Sequence, residues 1–311
     1  MPEQNPAASR SSSSKRTLWI AFAAVYLVWG STYLAIKYAV QTIPPYLMGG
    51  SRFLVSGLIL FLWAGRRGGE KPTRRQWRDA AIVGTLLLCG GNGAVAWAEQ
   101  RVPSGITALL VASVPLWMVV IDWLRPHGRR PPAVVGLGLI VGLGGVAVLA
   151  LPGSAQAAGG VDRAGALVLL LGSISWAAGS IYSRHGARPA SAEMATALQM
   201  ITGSAALFVV AAAAGEIGAF HPAAVTRASV LGWGYLVTFG ALVGFTAYIY
   251  LLRETTPAKA TTYAYVNPIV AVALGWMIAG EPITLRTVFA AAIILASVAL
   301  ISLAGGPDEP R

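Results

Sequence analysis

Charge is scarce in this 311-residue chain: it has twelve Asp and Glu, and all charged residues together make 11%. A soluble globular domain carries roughly a quarter, so a water-facing surface of this size is excluded. Cysteine is scarcer still. The single Cys89 excludes an intramolecular disulfide and a multi-cysteine zinc site. The three histidines, His127, His185 and His221, all fall in breaks between apolar runs and compose no catalytic or metal-binding set. No G-x-x-x-x-G-K-[ST] occurs, which excludes an ATP-driven pump working alone, and neither G-x-S-x-G nor H-E-x-x-H is present. These absences argue against an enzyme and leave no expected cofactor or metal.

What is present is apolar. Hydrophobic residues make 56%, glycine contributes 36 residues, and mean hydropathy is +0.64. The chain reads as an integral membrane protein whose surroundings are the lipid bilayer. A net charge of +11 would suggest nucleic acid in a soluble protein. Here the cations sit in short loops between apolar runs, so they report membrane orientation instead. A crossing needs about 20 mainly apolar residues. Ten such stretches run approximately through 18–40, 46–65, 79–98, 105–124, 133–151, 164–183, 193–214, 229–252, 260–279 and 287–304. With the N-terminus inside, seventeen Lys and Arg fall on the inner side and four on the outer. The expected fold is therefore all-α, with ten transmembrane helices and both termini cytoplasmic. Residues 1–17 are expected to be a disordered cytoplasmic tail, 18–151 and 164–304 two five-helix units, and 305–311 a second tail.

The two units repeat each other. Pro103-Ser104-Gly105, Ser113-Val114-Pro115 and Trp123 correspond to Pro257-Ala258-Lys259, Val266-Asn267-Pro268 and Trp276. Gly30-Ser31-Thr32-Tyr33 corresponds to Gly179-Ser180-Ile181-Tyr182. Five crossings is an odd number, so the second unit enters the membrane inverted. Inverted repeats place a substrate site at their interface.

Several motifs carry a resemblance. Val28-Trp29-Gly30-Ser31-Thr32-Tyr33, Arg52-Phe53-Leu54, Ala98-Glu99-Gln100-Arg101-Val102-Pro103-Ser104-Gly105, Gly172-Ser173-Ile174-Ser175-Trp176 and Tyr263-Ala264-Tyr265-Val266-Asn267-Pro268 resemble the EamA branch of the drug/metabolite transporter superfamily. The chain is most similar to its ten-helix bacterial exporters, from about residue 18 to 304. The resemblance implies an inner-membrane exporter of small metabolites, amino acids or drugs. It also implies a central cavity lined by helices 1, 3, 4, 6, 8 and 9.

Candidate site residues follow from what is costly in a membrane. Lys37 and Arg52 are intramembrane cations near the outer side, and each is expensive unless paired or facing an interior. They can attract anionic groups or pair with Glu99, or they can snorkel and form structural ion pairs. Trp29 and Trp176 fall near mid-span, and Tyr33, Trp97, Tyr182, Tyr248, Tyr263 and Tyr265 add to them on the presumed cavity helices. Aromatic faces suit amphiphilic substrates, and they equally suit helix packing. Asn92 and Asn267 are polar candidates. Pro115 and Pro268 each remove a backbone bond inside a helix, and are expected to kink the helix beside the pathway as gating elements. Gly138/Gly142 and Gly240/Gly244 permit close helix approach; internal packing is expected, so a monomer suffices, with a homodimer as the alternative.

The leading reading is a transporter that exports one small-molecule substrate by alternating access. Near the midplane there are only neutral polar groups, and Glu99 and Glu281 fall at outer span ends, so the efflux is expected to be gradient-driven. An organic-phosphate or nucleotide-sugar exchanger is the nearest alternative, although phosphate favours several converging cations. A scaffold or sensor without transport is the other, although the spans leave little chain for a soluble effector domain.

Overall fold

The structure, a computed structural model, describes residues 6–67, 71–125, 130–150, 162–255 and 262–304. Among them there is no strand. Seven helices are long and apolar enough to cross a membrane, and three apolar helices are shorter. In chain order, α1 is Pro6–Ala39, α2 Pro45–Arg66, α3 Arg74–Ala98, α4 Ser104–Leu124 and α5 Ala133–Ala150. They are followed by α6 (Arg163–His185) and α7 (Ala192–Ala213). Next comes α8, which is α-helical over Arg227–Tyr235 and Gly244–Glu254. The last two are α9 (Tyr263–Ala279) and α10 (Leu285–Ala304). Helix α1 is helical from Pro6, through the Ser-rich segment expected to be disordered; its apolar part is Arg16–Ala39. The first five residues, the tail 305–311 and the Pro257-Ala258-Lys259 motif lie outside the described residues.

Helix starts follow local chemistry. Thr73 and Gln76 form a reciprocal capping box at α3. Asp162, Ser191 and Thr226 each accept a backbone N–H in the first turn of α6, α7 and α8. Pro44 and Pro103 precede α2 and α4. Gly280, at φ 64°, ends α9 in the left-handed conformation that glycine adopts without strain.

The surface is what lipid requires. Trp19, Ile140, Val209, Leu231 and Leu285 are each more than two-thirds exposed. Trp63, Trp123 and Trp276 are exposed near helix ends, in line with interfacial anchoring. The largest core cluster joins both halves, with Ile36, Ala98, Leu110 and Leu116 meeting Leu169, Leu236, Ile294 and Val298.

Packing maps onto itself when the halves are exchanged. Helix α2 packs on α7, α5 on α10, and α4 on α9. Helix α1 packs on α8 and α9, as α6 packs on α3 and α4. The exchange extends to a backbone irregularity. Residues Thr85–Asn92 of α3 and Leu236–Val243 of α8 are π-helical, a displacement of 151 residues at both ends. Such segments are rare and disturb the i→i−4 ladder. Ser175 Oγ of α6 donates to Leu86 O at 2.8 Å, and Trp29 Nε1 of α1 donates to Gly240 O at 3.1 Å, so each half binds a π carbonyl of the other. Gly91 and Gly244 allow this approach: a Cβ on Gly91 would lie 2.6 Å from Trp176 Cε3, and one on Gly244 would strike the Trp29 ring.

The prolines act unequally. Helix α4 is interrupted between Val111 and Val114, just before Pro115. There Ser113 Oγ donates to Leu110 O at 2.6 Å and accepts from Trp117 Nε1 at 3.2 Å. Pro268 is the sixth residue of an unbroken α9 and leaves one backbone bond of that helix unmade. The two prolines therefore sit differently, one just after an interruption and one inside a continuous helix. Gly138 and Gly142 face Ile301 and Ser297 of α10, which is internal packing.

Candidate transport site

One face of α1 carries Trp29, Tyr33 and Lys37 at intervals of four residues, so their side chains stack in a row along the helix. Tyr26, three residues before Trp29, extends the row, and its hydroxyl is 2.6 Å from Thr262 Oγ1. The second half supplies the partners. Trp29 lies 4.9 Å from Tyr263 and 5.2 Å from Tyr248, which are themselves 5.6 Å apart, ring centroid to ring centroid. Phe245 closes the group at 5.4 Å from Trp29. Beside it, Asn267 is buried with its amide between α1 and α9; oriented to satisfy both carbonyls, its nitrogen donates to Tyr263 O at 3.2 Å and Tyr26 O at 3.3 Å. Trp29, Tyr248, Tyr263 and Asn267 are thus brought together where the halves meet.

The other end of the row is ionic. Lys37 pairs with Glu281, in the connection between α9 and α10. Glu281 also accepts Ser104 N at 2.8 Å, Ser104 Oγ at 3.0 Å and Gly105 N at 3.1 Å, so it caps α4. Burial pushes its carboxyl up, but Lys37 and the two backbone donors outweigh that and hold it below the ordinary range. Lys37 therefore pairs with Glu281 rather than Glu99. Arg52 is buried, and its Nη2 donates to Asn92 Oδ1 at 2.9 Å while Nε has no partner. Glu99 is 3% exposed and neither of its oxygens is hydrogen-bonded. It lies within electrostatic reach of Lys37, Arg52, Glu281 and Tyr33.

Four candidates stand apart. Trp176 packs on Gly91, on the α3–α6 contact. Tyr182 donates to Asp79 Oδ1 at 3.2 Å, where Asp79 also accepts Ala187 N, closing the α6–α7 corner. Tyr265 turns to α10 and donates to Val298 O at 3.3 Å. Trp97 lies under the Arg101 guanidinium, 4.3 Å from its ring centre. Conversely, Glu281, Ser104, Tyr26 and Phe245 belong to the row without having been singled out for it. Glu281 was detectable in principle, because the buried start of α4 needs an acceptor.

Comparison with known proteins gives a family match. The EamA-like transporter family model matches twice, over residues 16–151 and 163–303. The uncharacterized inner membrane transporter YedA of Escherichia coli K12 is 39% identical over 92% of this chain and 90% of its own. The uncharacterized transporter YvbV of Bacillus subtilis is 25% identical over 93% of this chain and 92% of its own. A crystal structure sharing 19% identity superposes over 93% of this chain and 98% of its own, with a TM-score of 0.61, which shows a common fold.

Proposed function

The chain belongs to the EamA-like transporter family, a family of multi-pass membrane transporters rather than enzymes, and on that premise we propose that it exports small metabolites, amino acids or drug-like amphiphiles across the inner membrane by alternating access. The inner membrane follows from the likeness to YedA. In this reading ten helices cross the bilayer as two inverted five-helix repeats, over about 18–151 and 164–304, and both termini are cytoplasmic. The substrate moves along the row on α1, between the repeats, with no cofactor.

The observation that carries this reading is the row itself. Trp29, Tyr33 and Lys37 come from the first half, and Tyr248, Tyr263 and Glu281 from the second, so relative movement of the halves opens or closes it. Four aromatic rings at one end, Trp29, Tyr248, Tyr263 and Phe245, and charge at the other suit an amphiphile. An organic phosphate fits less well. Of the two central cations, Lys37 is paired with Glu281 and Arg52 is engaged by Asn92.

The test is metabolite profiling of cells and medium with and without overexpression, followed by uptake of the enriched compound into proteoliposomes. A compound carried by the wild type and lost in Trp29→Ala supports the reading. Profiles that do not change with expression count against it.

A further inference from the structure

At the end of the bundle where α2 stops and α3 begins, the chain gathers charge of one sign. Residues 66–79 carry six Lys and Arg against two carboxylates, Glu70 and Asp79. Glu70 lies outside the described residues. Asp79 is already taken: it accepts from Arg78 Nε, Ala187 N and the Tyr182 hydroxyl. Arg66, Arg67, Arg74 and Arg75 are exposed, and among the described residues none of them lies within ion-pair distance of a carboxylate. No acid stands in the first turn of α3 to offset Arg74 and Arg75. Guanidinium groups gathered at one corner repel one another, and an anion between them relieves that repulsion.

The corner is held by packing. Ala64 of α2, Ala80 of α3, and Met194 and Leu198 of α7 form one buried cluster, and Phe61 and Trp77 pack on it with ring centroids 6.2 Å apart. The Arg67 guanidinium lies 3.9 Å from the centre of the Trp63 ring. Stacking uses the face of a guanidinium and leaves its N–H edge to donate. That edge matches the paired oxygens of a phosphate. Gln76 Nε2 donates to Arg188 O at 3.1 Å, which brings another exposed arginine, from the α6–α7 connection, to the same end. The neighbouring surface is apolar. Leu58, Ile59, Leu62 and Trp63 are exposed, and helix geometry turns them to the same side of α2 as Arg66 and Arg67. That side runs from hydrocarbon through indole to guanidinium. A soluble anion matches only its charged part, and a lipid without net charge only its apolar part.

We propose that this corner binds an anionic phospholipid, with its phosphate on Arg67 and the neighbouring Arg66, Arg74 and Arg75, and an acyl chain along Leu58, Ile59 and Leu62. Each arginine near an anionic headgroup strengthens binding about fivefold. The lipid ties the end of α2 to the start of α3. Its occupancy needs no transported substrate, so the lipid site and the export reading fail separately.

The experiment uses the full chain in detergent micelles. Native mass spectrometry follows retention of palmitoyl-oleoyl phosphatidylglycerol, or of the phosphatidylcholine with the same chains. The wild type should retain phosphatidylglycerol under conditions that strip phosphatidylcholine. Arg67→Gln should weaken that retention about fivefold, and Arg74→Gln with Arg75→Gln about 25-fold. Arg67→Lys keeps the charge but loses the flat face, and should recover only part of the loss. Arg130→Gln removes one exposed cation ahead of α5 and should change nothing. Equal retention of the two lipids overturns the site. Equal losses in Arg67→Gln and Arg130→Gln overturn it too, because they would show attraction to overall charge alone. Glycerol 3-phosphate should not displace the lipid; displacement would make this a soluble-anion site and overturn the acyl-chain contact.

Discussion

Replacing Glu281 tests how the two halves are held at the Lys37 end of the row. In Glu281→Ala, Ser104 N, Gly105 N and Ser104 Oγ all lose their acceptor in a place only 7% exposed. A buried polar group left unsatisfied costs about 1–3 kcal/mol. Lys37 keeps 28% of its side chain exposed, so its share of the loss is smaller, about 1 kcal/mol. Counting about 1 kcal/mol for each of the three donors and about 1 for Lys37, the expected destabilisation is at least about 4 kcal/mol. Glu281→Gln retains an acceptor for α4 and should lose about 1–2 kcal/mol. The pH dependence has a definite sign. A carboxyl held low in the folded state stabilises fully above its unfolded value, and loses that contribution as pH falls through the folded value. The wild type should therefore keep the contribution at neutral pH and lose it only below the ordinary carboxylate range, while Glu281→Gln should flatten that acid limb. Reversible unfolding in mixed micelles by titration with SDS, at neutral and acidic pH, measures both effects. A Glu281→Ala protein within about 0.5 kcal/mol of wild type would refute the capping argument.

Gly91→Ala should destabilise by about 1–3 kcal/mol, because the new methyl meets Trp176; Gly136→Ala, with nothing within 4 Å, should be silent in the same unfolding assay. Pro115→Ala should slow proteoliposome transport at near-normal abundance by mending the break in α4, and Pro268→Ala should do less, because α9 is already continuous; equal effects would show that the break is incidental. For topology, an impermeant thiol reagent on intact cells carrying Cys89→Ala should label Ala223→Cys and not Thr73→Cys, and the reverse pattern would invert every inner and outer assignment.

Much of this architecture was legible because a bilayer leaves few choices. Apolar runs bounded by Pro44, Pro103 and the Arg66–Arg78 cations fix where helices start and stop, and the repeated Pro, Trp and Gly motifs announce two similar halves. The site was legible in its residue types and less so in its partners. Trp29, Tyr248 and Tyr263 share a chemistry that sequence can flag, and they do meet. Tyr265 is two residues from Tyr263, which turns it about 200° round a helix, and it faces α10 instead. Lys37 has two carboxylates in reach, and only the fold reveals that Glu281, brought in by the connection after α9, takes it. The π segments leave no mark in composition, because one extra residue per turn does not change how apolar a stretch is.

Those two segments also fasten the halves to each other. A π turn disturbs the i→i−4 ladder and leaves a carbonyl for a neighbour to satisfy. Here both halves hold theirs at the same place, 151 residues apart, each served by a side chain of the opposite half. Neither half alone supplies the donor that its own π segment uses, so each irregularity is completed only when the two halves are packed together.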